Sequence, residues 1–286
     1  MFFKNTVKNI SSLKVQGAEN IAKAAISALI YMIKKSKSKS RQQFITEISK
    51  SAKELKKTRI TEPLMRNCLD HIMNAKGESL EFIKKSMVLR GEELLEKLDH
   101  NVEYIAKVGS KLIKDGMIVY THCHSRSVVS LLVTAKKSGK RFVVNNTETR
   151  PNFQGRKTAE ELAAEKIKVN YFVDAAFVEA IKEANIIFLG ADALTKDGIY
   201  NKVGSSTVVM IAHKYNIPVY ICADSMKFDP ISENIEERNP IEVWKRPPVG
   251  VIVRDPVFER IDYFDVIAVI SELGIIGSDS FLEKMK

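Results

Sequence analysis

From Met117 onward the sequence is written in short apolar runs separated by segments of helical length, and few folds accept that pattern. The runs lie at 117–120, 141–144, 169–173, 186–189, 218–222, 249–253 and 266–270, and each reads as a buried strand. Between them lie segments such as 126–138, 175–184 and 205–215, long enough for a helix each. Strands that alternate with helices need right-handed crossovers, and these build a mainly parallel sheet with helices on both faces. The expectation is a Rossmann-like α/β domain over residues 116–286.

Residues 1–115 follow the helical period instead and predict an N-terminal helical domain. Ala18–Lys35 is one unbroken run with Ile21, Ala25, Leu29 and Met32 near helical spacing. Leu80, Ile83, Met87, Leu94 and Leu98 form a second stripe. Ile105, Val108 and Leu112 form a third, which Gly116 is expected to end as a left-handed cap. No tandem repeat is present, and residues 229–248, rich in proline and charge, read as a loop.

A chain of 286 residues can bury a real core, as one large domain or two modest ones. No stretch approaches the roughly 18 apolar residues of a membrane span. The start, Met1 to Asn5, turns polar too early for a signal peptide, so a cytoplasmic location is expected. Cys68, Cys123 and Cys222 are odd in number and lack metal-ligand spacing, which argues against a disulfide framework, a zinc site or any metal. The net charge of +10 suits a polyanionic small substrate. Its densest cluster, Lys34 to Arg41, lacks aromatic residues for base stacking and reads as a solvated loop, so nucleic acid is not the expected partner.

In open parallel sheets, ligands bind beyond the carboxyl ends of the strands, where the winding direction reverses. The residues after each strand therefore carry the candidate chemistry. Cys123 follows the first strand between His122 and His124. Imidazoles and a helix start beside it would lower its pKa toward thiolate, the plain alternative being a small core residue. Asp192 ends the apolar run 186–189, where partial desolvation would raise its pKa and suit proton transfer; the alternative is a turn aspartate. The segment 201–207, with Asn201, Lys202 and Gly204 ahead of Ser205 to Thr207, reads as a phosphate cradle or a simple helix cap. Arg150, with Gln154 nearby, offers a two-pronged anion contact, and Lys227 a further cation; a surface salt bridge is the alternative for both. No GxGxxG or GxxxxGK[ST] nucleotide signature is present.

Taken together, THCHS (121–125), TETRP (147–151) with Gln154, GAD (190–192), NKVGS (201–205) and MKF (226–228) stand in a telling order. They resemble the motifs of the superfamily of sugar-phosphate isomerases and initiation factor 2B. That superfamily contains archaeal ribose-1,5-bisphosphate isomerase, methylthioribose-1-phosphate isomerase and the alpha, beta and delta subunits of initiation factor 2B. LKVQGAENIAKAA (13–25) and TRITEPLMRN (58–67) resemble its N-terminal helices, so the likeness spans nearly the whole chain.

The resemblance implies that Cys123 accepts a proton and Asp192 donates one. It implies substrate contacts at Gln16, Gly17, Ala18, Glu19, Arg59, Ser125, Arg126, Ser127, Arg150, Gln154, Asn201, Lys202 and Lys227. The implied reaction is the aldose–ketose isomerisation of ribose 1,5-bisphosphate to ribulose 1,5-bisphosphate, in an AMP or nucleoside salvage type of pathway. No cofactor is implied, and the expected assembly is a homo-oligomer, dimer or hexamer. Three positions depart from the isomerase pattern: Gln16 stands for an arginine, Glu19 for a glycine and Arg126 for a small residue. The FERIDYFD stretch (258–265) replaces a DVTPP-like one. Two alternatives stay open at this point. One is a non-catalytic initiation factor 2B-like subunit that senses a sugar phosphate or nucleotide and partners initiation factor 2. The other is an isomerase of methylthioribose 1-phosphate.

Overall fold

The computed structural model describes residues 1–230 and 237–285 and divides the chain into two compact units, Met1–His100 and Asn101–Lys286. Part of the loop expected at 229–248, residues 231–236, lies outside the described residues.

The first unit holds α1 (Phe2–Ser11), α2 (Ala18–Lys35), α3 (Arg41–Thr58) and α4 (Pro63–Met73). It also holds most of α5 (Leu80–Gly109), which runs across the division. Helix α2 keeps the bounds read from its periodicity and buries Ile21, Ala25, Ile26, Leu29 and Ile33. Helix α3 begins on a Ser40 cap whose hydroxyl accepts the Gln43 N–H, and α4 begins with Pro63, whose missing N–H costs nothing in a first turn. Phe44, Ile48, Leu55, Leu64 and Leu69 close the core of this unit.

The second and third apolar stripes of the sequence are one helix, α5, followed by a short 3-10 turn at Ser110–Leu112. Gly116 does not cap that helix; it lies four residues beyond the turn and donates its N–H to the Arg141 carbonyl. Ile105, Ala106 and Ile113, which the sequence groups with the helical part, pack in the core of the second unit.

That unit is built on β1 (Ile118–Thr121), β2 (Val143–Thr147), β3 (Lys168–Phe172), β4 (Ile186–Leu189), β5 (Ala193–Leu194), β6 (Ile199–Lys202), β7 (Val219–Cys222), β8 (Phe258–Ile261), β9 (Ala268–Ser271) and β10 (Gly274–Gly277). Seven strands form one sheet in the order β10-β9-β7-β4-β1-β2-β3, parallel except for the β10–β9 hairpin. Strands β5, β6 and β8 form a second, antiparallel sheet that the apolar runs did not announce. The run 249–253 is not a strand: Val249 and Ile252 are exposed and the segment makes no ladder. Helices α6 (Arg126–Lys137) and α7 (Gln154–Ala164) cover one face of the large sheet, with Val128, Leu131, Leu132 and Leu162 in its core. Helices α8 (Phe177–Ile181), α9 (Ser205–Lys214) and α10 (Ser278–Met285) cover the other, around Ile187, Val208, Ala212 and Phe281.

The chain winds from β1 outward through β2 to β3, then returns to the other side of β1 with β4 and continues to β7 and β9. The winding reverses between β1 and β4, and the carboxyl ends of strands at such a reversal are where folds of this kind bind ligands. Among the described residues no helix is long and apolar enough to cross a membrane.

Candidate active site

Cys123 and Asp192 lie at that reversal. Cys123 is the second residue beyond β1, and Asp192 the third beyond β4, on two strands that pair directly. Gly190 precedes Asp192 at a place where only a hydrogen fits: a Cβ there would come within 2.8 Å of the Ser125 Cβ.

The Cys123 turn is held in an uncommon conformation, with φ at +66°. Two threonines hold it. The Cys123 N–H donates to Thr149 Oγ1 at 3.0 Å, and Thr158 Oγ1 donates to the Cys123 carbonyl at 2.8 Å. A backbone strained at this cost persists where its surroundings over-determine it, commonly at functional sites.

Both flanking imidazoles have hydrogen-bond partners of their own. His122 is buried and donates Nε2–H to the Val203 carbonyl at 2.9 Å, which leaves Nδ1 to accept the Thr147 hydroxyl at 2.7 Å. The Tyr120 hydroxyl lies 3.0 Å from Thr147 Oγ1 and completes the chain as its donor. His124 places Nδ1 3.1 Å from Thr158 Oγ1. Burial lowers the pKa of both rings, that of His124 to about 4, so both are neutral near pH 7 and supply no positive charge. The expectation of an activated thiolate is therefore corrected. Burial, and then the Asp192 carboxylate, push the Cys123 thiol up to about 12. The opposing pulls come from the His124 backbone N–H and from the Lys202 and Arg238 cations, and they are smaller.

Lys202 is the last residue of β6 and is buried, with its Nζ making no hydrogen bond among the described residues. Burial lowers its pKa, while Cys123, Asp255 and Asp192 pull it back up. Lys227 is also buried and donates Nζ–H to the Ala191 carbonyl at 2.6 Å, beside Asp192.

The cradle read in 201–207 is closed from within. Asn201 Nδ2 donates to Ser205 Oγ at 2.8 Å, and that hydroxyl donates to the Lys202 carbonyl at 2.6 Å. The Gly204 and Ser206 N–H groups are taken by the Glu259 carboxylate of β8. Two of the backbone donors at the start of α9 are thus engaged by a residue of the chain, and Lys202 is the cation of the segment. Gly204 has φ at +103°, and a Cβ on it would stand 2.9 Å from His122 Nε2.

The start of α6 is arranged differently. Ser125 caps it by accepting the Val128 N–H, Arg126 is exposed and Ser127 is buried. In the 147–151 turn, Asp174 accepts the Thr149 and Arg150 N–H groups at 2.9 and 2.7 Å. The Arg150 guanidinium, exposed, lies over the Phe153 ring at 5.0 Å. Gln154 Oε1 is buried without a hydrogen-bond partner among the described residues.

The remaining candidates belong to the helical unit. Gln16 is exposed and donates Nε2–H to the Leu13 carbonyl at 3.1 Å, Gly17 precedes α2 with φ at +85°, and Ala18 and Glu19 are buried in its first turn. Arg59 is buried 3.3 Å from the Glu62 carboxylate. Sequence reasoning gave no role to Thr149, Thr158, Glu259, Arg238 or Asp255, although Thr149 lies in the 147–151 motif and Glu259 in the 258–265 stretch. Their parts show only where distant elements bring them together. Among the described residues no cluster of His, Cys, Asp or Glu is arranged to hold a metal ion.

A profile of the Initiation factor 2 subunit family matches residues 14–277. The chain belongs to this family. A ribose 1,5-bisphosphate isomerase of Archaeoglobus fulgidus is 34% identical over 94% of this chain and 88% of its own length. The ribose 1,5-bisphosphate isomerase of Methanocaldococcus jannaschii is 33% identical over 96% of this chain and 91% of its own. Among solved structures, the translation initiation factor eIF-2B of Pyrococcus horikoshii superposes with a TM-score of 0.84 at 26% identity and covers 96% of both chains.

Proposed function

We propose that this family member is a cytoplasmic, homo-oligomeric aldose–ketose isomerase that converts ribose 1,5-bisphosphate to ribulose 1,5-bisphosphate. The observation that carries the reading is the electrostatic coupling of one thiol and one carboxylate at the reversal of a parallel sheet. Its relatives at 33–34% identity along nearly the whole chain, named for this reaction, support the choice of substrate.

The resting pair is thiol and carboxylate, because each charge raises the cost of the other. Moving one proton from Cys123 to Asp192 gives thiolate and carboxylic acid with no change in net charge. In that form Asp192 gives its proton to the ring oxygen as the C1–O bond breaks. The Cys123 thiolate takes the C2 proton, and the C2–H electrons form the C1–C2 double bond of an enol phosphate. The thiol then returns that proton to C1, while the C2 hydroxyl gives its own to Asp192, and the ketone results. Both residues end as they began. Lys202, Lys227 and the arginines hold the phosphates, so binding away from the reacting carbons positions them. The neighbouring cations limit the cost of a thiolate in this half-buried site.

The test is turnover of ribose 1,5-bisphosphate by the purified chain, read by phosphorus NMR. Product is expected from the wild type and not from Cys123→Ser, which should still bind the ligand. Normal turnover by Cys123→Ser sinks the assignment of the thiol. Absence of product from a wild type that binds the ligand replaces this reading with the non-catalytic subunit.

A further inference from the structure

Two buried atoms of oppositely charged groups in the α/β unit make no hydrogen bond among the described residues. Lys202 Nζ is one, and Asp255 Oδ2 is the other; neither atom has a partner among the described residues. Asp255 is 4% exposed, on the segment leading into β8. That segment runs alongside Lys202: the Val203 N–H donates to the Val257 carbonyl, and Lys202 pairs with Phe258. The two side chains influence each other electrostatically. The remaining charges that act on Asp255 are Glu242 and Arg238, both from the preceding loop.

A buried carboxylate oxygen with no donor is costly, and native structures rarely keep one without a use. An ionised carboxylate only accepts hydrogen bonds. It repels phosphate, so the group that completes Asp255 must bring a donor. The buried ammonium beside it only donates, so its missing partner is an acceptor. A phosphorylated sugar carries both kinds of group close together, phosphate oxygens and hydroxyls. We propose that Asp255 is a specificity residue that accepts a hydrogen bond from a sugar hydroxyl, while Lys202 takes an acceptor of the same ligand. The inference rests on a sugar phosphate as the ligand, as in the proposed function, and needs no turnover.

Asp255 would thus separate hydroxylated phosphates from bare ones, and that separation is the test. Calorimetry measures the Kd of the full chain for ribose 5-phosphate and for inorganic phosphate. Asp255→Ala should weaken ribose 5-phosphate about 10- to 100-fold, the usual worth of a hydrogen bond to a charged group. The same variant should bind inorganic phosphate equally or more tightly, since a like charge has left the pocket. Asp255→Asn keeps an accepting oxygen and should weaken ribose 5-phosphate less than Asp255→Ala. A fall for both ligands together, no change for either, or no binding of ribose 5-phosphate by the wild type would overturn the proposal. Turnover of ribose 1,5-bisphosphate is measured apart: its absence, with the two Kd values diverging as described, sinks the isomerase reading and leaves Asp255 standing.

Discussion

Substituting Asp192 with asparagine should make Cys123 more reactive. The wild-type thiol is held at about 12, with burial as the first cause and the Asp192 charge as the second. At pH 8 that leaves about one thiol in ten thousand ionised. A neighbouring like charge raises a pKa by roughly 1 unit, so its removal should increase the thiolate fraction about tenfold. Alkylation by iodoacetamide reads that fraction, since the thiolate is the nucleophile. The rate would be followed between pH 7 and 10 by mass spectrometry of the peptide containing Cys123. Cys68 and Cys222 are fully buried and serve as internal controls for global opening. The wild-type rate should climb about tenfold per pH unit, and Asp192→Asn should lie about tenfold above it throughout. Lys202→Met should lie below the wild type, because the Lys202 cation lowers the thiol pKa. An Asp192→Asn rate equal to or below wild type, with the control thiols silent, would refute the electrostatic coupling on which the proton exchange depends.

Two further outcomes follow from the shell around the site. Thr149→Val removes the hydroxyl that receives the Cys123 N–H and keeps the shape, so it should cost about 1–3 kcal/mol in urea unfolding. Thr149→Ser should recover most of that cost, and equal losses in the two variants would show that the hydroxyl is not what holds the turn. His124 has a folded pKa of about 4 against an ordinary 6.5, so the unfolded chain binds the extra proton between these values. Its contribution is complete above pH 6.5 and is lost as pH falls toward 4, at most about 3 kcal/mol. The drop in melting temperature from pH 7 to pH 4.5 should therefore be smaller in His124→Gln than in wild type; an equal drop would mean that the ring is not held neutral by its surroundings.

The architecture was legible in the sequence because it rests on local regularities. Helix α2 and strands β1, β2, β3, β4, β7 and β9 lie where apolar periodicity puts them, and burial of an apolar face needs only the right spacing. The placement of Cys123 and Asp192 at strand ends was legible for the same reason. Val249 to Val253 misled because an apolar run shows what could be buried and does not show what distant segments will cover, and Val249 and Ile252 stay exposed. The small sheet escaped notice because β5 has two residues and β8, the second partner of β6, lies more than fifty positions further along.

The electrostatics belonged to the tertiary structure alone. His122 and His124 neighbour Cys123 in sequence, yet their rings serve Val203, Thr147 and Thr158, and only the His124 backbone N–H acts on the sulfur. Glu259 fills the helix start that Gly204 to Thr207 seemed to offer to a phosphate, and Asp255 stands beside Lys202 from fifty-three positions away. A strand places its chemical groups at a sheet edge by local rules. The charge of those groups depends on water excluded and charges brought close by distant segments, and sequence order does not record those distances.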